Sequence, residues 1–247
     1  MSQSLYAVTF DAVGTLFAVR EPVGSTYGEL ARAQGFAAAN RDLGKAFARA
    51  VRNAPPLATP GSLDASHREG WVRQWWRNVV GQCLGEVIGS EPATLAKDKH
   101  FEQFFEAAFS HYGDANAWKL FDESVPTLDE ARTRGLRVGI LSNFDDRLDG
   151  VLKGLGIRHY FDDVVVSTQV GVAKPARAIF EHARRGLGDE PAERYLHVGD
   201  SLSLDAQGAL DAGWRAAWLD RGQEKEPAQG VLRPRTLDEL FPLLDAQ

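Results

Sequence analysis

Four groups of polar residues, each placed after a short apolar run, have the side-chain types needed for chemistry on a charged substrate. The first is Asp11, which follows the strand-like run 5–10 and precedes the turn at Gly14-Thr15. An ionised carboxylate at a strand end can attack phosphorus or carbon and form a covalent aspartyl intermediate. Gly14 permits a tight turn, and the N–H groups of such a loop, with the Thr15 hydroxyl, can hold phosphoryl oxygens. An isolated Asp-x-x-Gly-Thr is more often a turn cap than a catalytic loop.

The other three groups are Ser142-Asn143, Lys174, and the pair Asp200 and Asp205. Ser and Asn are also favoured where a helix begins, as Asp is, and a lysine before a helix is most often a solvated surface charge. The two acids fit a hard cation such as Mg²⁺, which prefers oxygen ligands. Taken singly, each group therefore admits a purely structural explanation.

The sequence predicts an α/β framework that would bring these groups together. β-Branched apolar runs alternate with helical segments, which is typical of a buried parallel sheet. Such a sheet binds ligands at the carboxyl ends of its strands, where the candidate residues fall. Beyond the first run, the predicted strands are 137–141, 163–166, 195–198 and 215–219; the predicted helices are roughly 124–135, 145–156, 175–187, 204–212 and 237–244.

Residues 18–118 show no strand pattern and are predicted to form a helical insert. Aromatic residues recur at helical spacing in 71–79 and 101–109, and the Pro- and Ala-rich segment 53–62 is typical of a loop. The sequence therefore predicts a core of residues 1–17 and 119–247, with the helical unit 18–118 inserted after the first strand.

Composition narrows the class of protein. The 247 residues carry a formal net charge of −6, which argues against nucleic-acid and acidic-membrane surfaces, because such binders need clustered Lys and Arg. The single cysteine, Cys83, excludes an intrachain disulfide and is expected to be a small buried hydrophobe in a reducing cytoplasm. The pattern includes no secretory leader and no bilayer-spanning run. We therefore expect a cytoplasmic protein with a small-molecule substrate; the oligomeric state is not readable.

The motifs at Asp11, Ser142-Asn143, Lys174 and Asp200-to-Asp205, in that order along the chain, resemble those of the haloacid dehalogenase (HAD) superfamily. In the phosphatases of this superfamily the first motif is usually Asp-x-Asp-Gly-Thr-Leu/Val. The segment 11–16 matches that pattern with Val13 in place of the second Asp, and residues 199–205 match Gly-Asp-x-x-x-x-Asp. The paired Trp75-Trp76 and the run 142–145 are similar to the haloacid dehalogenase-like hydrolase domain-containing 3 group, which also departs from the second Asp.

The resemblance implies a Rossmann-like parallel sheet with helices on both faces, a C1-type cap formed by the insert, and a Mg²⁺ site. It implies Asp11 as the nucleophile, with Ser142 and Lys174 stabilising the transferring group and Asn143 orienting the loop or the substrate. The implied metal ligands are Asp11, the Val13 backbone carbonyl and Asp200, and Asp205 would support them by holding a water molecule or Lys174. The residues implied to bind the phosphate group are Gly14, Thr15, Ser142, Asn143 and Lys174.

Val13 is the departure that bears on turnover. In phosphatases of this superfamily the second Asp protonates the leaving alkoxide and then activates water, and loss of such a group typically costs about 10²–10⁴ in rate. Aryl and acyl phosphates, whose leaving groups need less help, should suffer less. A side chain of the insert would be a substitute donor, although each candidate is expected to be a solvated surface charge. Those candidates are Lys45, His67, Arg68 and Arg73.

Three functions stay open at this point. The first is a Mg²⁺-dependent phosphatase acting through an aspartyl intermediate on a small phosphorylated molecule. The second is a 2-haloacid dehalogenase, whose motif resembles residues 11–17; such enzymes, however, typically lack the acid that this chain retains as Asp200. A phosphonatase, which would use Lys45 as its Schiff-base lysine, is disfavoured because the sequence around Lys45 does not resemble that of phosphonatases. The third is a protein that binds a phosphorylated ligand with little turnover, for which Val13 argues.

Overall fold

The computed structural model describes residues 4–61, 63–222 and 230–246 of the chain. Strands of these residues form one parallel sheet and one short antiparallel ribbon. The sheet strands are β1 (Ala7–Phe10), β4 (Arg137–Ser142), β5 (Asp163–Val166), β6 (Tyr195–Gly199), β7 (Arg215–Trp218) and β8 (Val231–Leu232); the ribbon strands are β2 (Phe17–Val19) and β3 (Trp118–Leu120). The sheet order is β5-β4-β1-β6-β7-β8, which puts β1 in the interior.

Helices cover both faces of this sheet and form the segment between β2 and β3. The helices of that segment are α1 (Val23–Ala33), α2 (Asn40–Asn53), α3 (Ala65–Ile88), α4 (Pro92–Leu95) and α5 (Lys99–His111). The later helices are α6 (Ser124–Thr133), α7 (Leu148–Gly154), α8 (Ser167–Val170), α9 (Arg177–Gly186), α10 (Gly208–Asp211) and α11 (Leu240–Asp245), with a π-helical segment at Leu202–Gln207. No helix of the described residues is both long and apolar enough to cross a membrane.

The strand sequences explain how the sheet is buried. All four residues of β1 are buried, because helices pack on both faces of a parallel sheet. Alternation along β1 sends Val8 and Phe10 into one apolar cluster and Ala7 into another. Thr9 shares the face of Ala7 and lies opposite His197 in the register with β6. The framework thus places two polar side chains together inside the sheet.

The helical segment from α1 to α5 has an apolar cluster of its own. Tyr27, Leu43 and Phe104 are among its buried members, together with Cys83, which is a free thiol. Burial raises the pKa of this thiol to about 12, so that it stays protonated. Cys83 is therefore the small buried hydrophobe that the sequence predicts.

The predicted strands lie within a few residues of the observed ones, and the backbone is left-handed at Gly135, Gly156 and Gly213. The prediction of no strand in 18–118 was wrong at its two edges, since β2 and β3 extend into that range. Three-residue strands are too short to show a periodic pattern.

Two predicted helix starts were also wrong. The helix predicted from residue 145 begins at Leu148, because the Asp145 carboxylate accepts from the Arg147 N–H at 3.1 Å and shapes a turn instead. The helix predicted from Pro175 begins at Arg177. The segment before it belongs to the site described next.

Candidate active site

Asp11 lies at the carboxyl end of β1, between the ends of β4 and β6. Its N–H donates to the carbonyl of Val198 at 2.8 Å, so the ladder with β6 continues one residue beyond the strand. The following loop turns tightly: Gly14 has φ +90° and its N–H donates to the Phe17 carbonyl at 2.8 Å. Backbone hydrogen bonds of Asp11 itself and of the loop that follows it thus fix Asp11 at the carboxyl edge of the sheet.

A buried ammonium group lies beside Asp11. Lys174 Nζ donates to Asp11 Oδ1 at 2.7 Å and to Asp205 Oδ1 at 2.6 Å. Burial alone would lower the pKa of Lys174, but the negative charges of Asp11 and Asp205 outweigh it and raise this pKa. Lys174 therefore stays positively charged, and it is not the solvated surface lysine of the structural alternative.

His197 completes this buried cluster, and the sequence motifs gave no signal for it. Its Nδ1 hydrogen-bonds Thr9 Oγ1 at 2.8 Å, and its Nε2 lies 3.2 Å from Asp205 Oδ1. Burial and the ammonium group of Lys174 lower the pKa of His197, so the ring is neutral at pH 7. Lys174 and His197 in turn hold the pKa of Asp205 below its usual range despite burial. The sequence indicated only that His197 lies in the predicted strand 195–198, and the structure pairs this strand with β1 so that Thr9 and His197 lie side by side.

Asp200 faces the loop that follows β1. Oxygen atoms of Asp11, Asp200 and Asp205 all lie within 4.8 Å of one another. Desolvation of its carboxyl group, with the negative charges of Asp11 and Asp205, raises the pKa of Asp200 to about 7. A Cβ atom at Gly14 would lie 2.3 Å from Asp200 Oδ2, so only glycine fits beside this carboxylate. The helix after β6 is capped by Ser201, whose Oγ accepts from the Leu204 N–H at 3.2 Å, and not by Asp200.

Asn143 holds the segment that carries Lys174. Its side-chain Nδ2 donates to the Lys174 carbonyl at 3.0 Å, and its Oδ1 accepts from the Lys174 N–H at 2.7 Å. Ser142, the last residue of β4, is buried at the same edge of the sheet as Asp11, because β4 runs parallel beside β1. Neither residue caps a helix, since α7 begins only at Leu148.

The structure brings several of the sequence-predicted residues into contact. Asp11, Lys174 and Asp205 form the buried hydrogen-bonded group, with Asp200 and Gly14 directly beside it. Thr15 is fully buried, and its Oγ1 has no hydrogen-bond partner among the described residues. Within the described part of the chain, the hydroxyl of Thr15 therefore makes no hydrogen bond to the acidic group.

Val13 and Gly14 line a cavity of about 890 Å³ that separates the helical segment from the sheet edge. Val13 is half-buried and also packs against the large apolar cluster of the sheet. Lys174 and Asn143 line the same cavity, so the ammonium group that contacts Asp11 and the loop after β1 border one space. A valine side chain there has no proton to give to a bound molecule.

The candidate donors of the insert are engaged elsewhere. His67 Nδ1 lies 2.8 Å from Asp64 at the surface, Arg68 pairs with Asp146 at 2.6 Å, and Arg73 pairs with Glu106. Lys45 is exposed on α2. The described lining of the cavity beside Val13 includes none of these four side chains.

A buried ion pair in the loop after β4 contacts the helical segment through Trp76 and Phe109. Arg147 donates to both carboxylate oxygens of Asp145, at 2.8 and 2.7 Å, and its guanidinium stacks 3.8 Å above the Phe109 ring. Trp76 Nε1 donates to Asp145 Oδ2 at 2.8 Å from the other side of the interface. The sequence pattern had marked Trp76 and Asp145 only as points of likeness, and gave no indication that they touch.

Comparison with known proteins agrees with this geometry. The model of the haloacid dehalogenase-like hydrolase family matches residues 6–213, which contain all four motifs. The chain belongs to this family. It is therefore a hydrolase of the HAD superfamily, and the family predicted from the sequence is confirmed, as is the α/β class of its fold.

Individual relatives support the assignment along most of the chain. Haloacid dehalogenase-like hydrolase domain-containing protein 3 of Homo sapiens is 34% identical over 244 residues, a match covering 96% of this chain and 93% of the relative. A phosphoserine phosphatase of Thermus thermophilus is 36% identical over 187 residues, covering 74% of this chain and 70% of that protein. The structure of L-2-haloacid dehalogenase from Xanthobacter autotrophicus superposes with a TM-score of 0.69, covering 98% of this chain and 99% of that chain. At 18% identity, this last likeness shows a shared fold alone.

Proposed function

We propose that this HAD-family protein is a Mg²⁺-dependent phosphatase that acts through an aspartyl intermediate on a small phosphorylated molecule. The observation that carries the proposal is the buried ammonium of Lys174, held between Asp11 and Asp205 with Asp200 alongside. A cation fixed at that place favours a negatively charged substrate next to the nucleophile.

The donor set fits a hard divalent ion. Asp11 and Asp200 offer carboxylate oxygens close together, and the Val13 backbone carbonyl belongs to the same loop. Asp205 is already committed, because its Oδ1 accepts from Lys174 and its Oδ2 accepts from the Ser201 N–H at 2.9 Å. We therefore assign Asp11, Val13 and Asp200 as ligands, with Asp205 holding Lys174 and the loop in place. When bound, Mg²⁺ supplies positive charge that offsets the phosphoryl group and the nucleophile.

Each of the remaining residues has a part in the proposed reaction. Asp11 attacks phosphorus, forming an oxygen–phosphorus bond as the ester bond breaks, and water then hydrolyses the aspartyl phosphate. Lys174 and Ser142 stabilise the charge of the transferring group, with Gly14 and Thr15 in the loop that surrounds it. Asn143 acts by positioning Lys174, since both polar groups of its amide are used by that residue's backbone.

We further propose residues 18–118 as the cap of this enzyme and residues 1–17 with 119–247 as its core. Supporting this division, α1 to α5 pack around a separate apolar cluster and are joined to the sheet edge by the Trp76–Asp145 bond. A location in the cytoplasm stays a prediction from the sequence.

Hydrolysis of p-nitrophenyl phosphate tests the proposed activity. Phosphate release should require Mg²⁺ and should vanish in Asp11→Asn, while Asp42→Asn, a matched change on an exposed acid of α2, should leave it unchanged. Metal-independent halide release from 2-chloropropionate would instead indicate a dehalogenase. Binding of inorganic phosphate without turnover of either compound would indicate the catalytically weak binding protein that Val13 also favours.

A further inference from the structure

The cavity between the helical segment and the sheet edge has two chemically different ends. Its volume of about 890 Å³ is near the upper end for small-molecule sites, far more than a phosphoryl group needs. Val13, Gly14 and Lys174 form its wall at the acidic group. The walls contributed by the helices are mostly apolar and include six aromatic side chains: Tyr27, Phe47, Trp75, Trp76, Phe105 and Phe109.

The charged side chains in this lining do not make the helical end of the cavity polar. The guanidinium of Arg147 is neutralised by Asp145 and lies flat against the Phe109 ring, so its charge is already satisfied. Arg52 is exposed at the rim. Of the other polar residues, Asn143, Lys174, Ser201 and Ser203 belong to the sheet edge, whereas Tyr27 and Tyr112 belong to the helical segment. The buried hydroxyl of Tyr112 has no hydrogen-bond partner among the described residues, so it is the one partner we identify there for a polar group. Any larger polar group would lose its hydration at this end without full compensation, which is unfavourable.

We propose that the substrate is a phosphate monoester of a large apolar alcohol, preferably a substituted phenol, whose organic part fills the aromatic end of this cavity. The inference rests on the proposed phosphatase function and specifies its substrate class. The cavity borders Lys174, whose Nζ lies 2.7 Å from Asp11 Oδ1, so a phosphoryl end placed against Lys174 lies beside the nucleophile while the apolar end stays among the rings.

The chemistry of Val13 agrees with such a substrate. As the oxygen–phosphorus bond to Asp11 forms, the ester bond breaks and the phenolate leaves with its electron pair, taking a proton from water. A phenolate needs less protonation than an alkoxide, so the missing carboxylic acid is tolerated. Water then cleaves the aspartyl phosphate and restores Asp11, which balances the reaction as a hydrolysis.

A series of 4-alkylphenyl phosphates tests the proposal, because lengthening the alkyl chain hardly changes the leaving group. The value of kcat/KM should rise by about fourfold for each added methylene until the cavity is filled. Equal kcat/KM across a series that is hydrolysed would overturn the apolar site and leave the phosphatase function standing.

Variants that fill the cavity provide the second measurement. Ala54 and Ala18 are half-buried and line the cavity, whereas Ala107 is half-buried on α5 outside its described lining. Ala54→Leu and Ala18→Leu should each reduce the gain in kcat/KM per methylene, and Ala107→Leu should not. Two cavity variants are used so that poor folding of one leaves the other informative. The same gain in all three variants would contradict the proposal.

Binding of 4-alkylbenzylphosphonates, which are not hydrolysed, separates this inference from the proposed activity. Calorimetry on the full chain with Mg²⁺ should show affinity rising along the series and a smaller rise in Ala54→Leu. Rising affinity without hydrolysis of any phosphate would support the apolar site and refute the phosphatase. Affinity that does not depend on chain length would refute the apolar site whatever the activity.

Discussion

Gly14 and Asp200 are in such close contact that a single methyl group at position 14 would collide with the carboxylate, at 2.3 Å from Oδ2. The two residues come from the loops after β1 and β6, and Gly14 has φ +90°. Glycine is thus required for two reasons, its backbone angle and the space taken by Asp200.

Gly14→Ala should separate these two requirements when it is compared with Gly135→Ala. Both positions have positive φ, but a Cβ at Gly135 meets nothing within 4 Å. Each variant should lose about 1–2 kcal/mol of unfolding free energy, whereas only Gly14→Ala should lose activity, on the order of 10²-fold, through a displaced Asp200. Urea unfolding and p-nitrophenyl phosphate hydrolysis provide the two readouts. Equal activity in both variants would show that this contact is not required.

Lys174→Met should destabilise the fold strongly, because it leaves Asp11 and Asp205 as close, buried negative charges without their cation. Removing one partner of a buried ion pair costs about 3–5 kcal/mol. The double variant Lys174→Met with Asp205→Asn should recover part of this loss, since one of the two uncompensated charges is gone. Urea unfolding in the absence of metal measures both values, and no recovery in the double variant would contradict the charge argument.

His197 should make the stability of the metal-free protein depend on pH. Its pKa is lowered by burial and by Lys174, so the unfolded state binds more protons than the folded state below the ordinary pKa of about 6.5. The contribution of the neutral His197 ring to the unfolding free energy is present above pH 6.5 and is lost as the pH falls towards the lowered pKa. The difference in Tm between wild type and His197→Gln should therefore shrink from pH 7.5 to pH 5.

The comparison with His197→Gln, and not the pH window itself, isolates His197 from its neighbours. Asp205 has a lowered pKa, so its own contribution is lost only below the ordinary range of a carboxyl group. Asp200, whose pKa is raised to about 7, acts in the opposite direction and is present in both proteins. A Tm difference that stays constant over this window would contradict a depressed pKa at His197.

Val13→Asp should raise phosphatase activity, because it places a carboxyl group on the loop beside Asp11 and in the wall of the cavity. General acid–base catalysis is typically worth about 10²–10⁴ in rate. The increase in kcat should be larger for alkyl phosphates than for aryl phosphates, whose leaving groups need less protonation. Val13→Asn, of the same size but unable to donate such a proton, is the matched control. No increase in a folded, Mg²⁺-binding variant would contradict the proposed mechanism.

The parallel sheet and the meeting of Asp11, Lys174 and Asp205 could be predicted from the sequence. Apolar runs of four to six residues mark buried strands, and parallel strands present their carboxyl ends at one edge. Motifs placed at those ends, such as Asp11 and Asp200, must then approach one another. Local pattern and topology predicted this part of the site, whereas the place of Lys174, 163 positions after Asp11, followed only from the family resemblance.

The tertiary structure alone decided which side chains act as partners. Nothing local marks His197 as the neighbour of Asp205, the amide of Asn143 as the support of Lys174, or Trp76 as the partner of Asp145. These contacts depend on how separately coded segments pack, and a shift of an ångström would break a hydrogen bond. The aromatic cavity above Val13 has the same origin, because each of its helices shows only an apolar face until they are packed together.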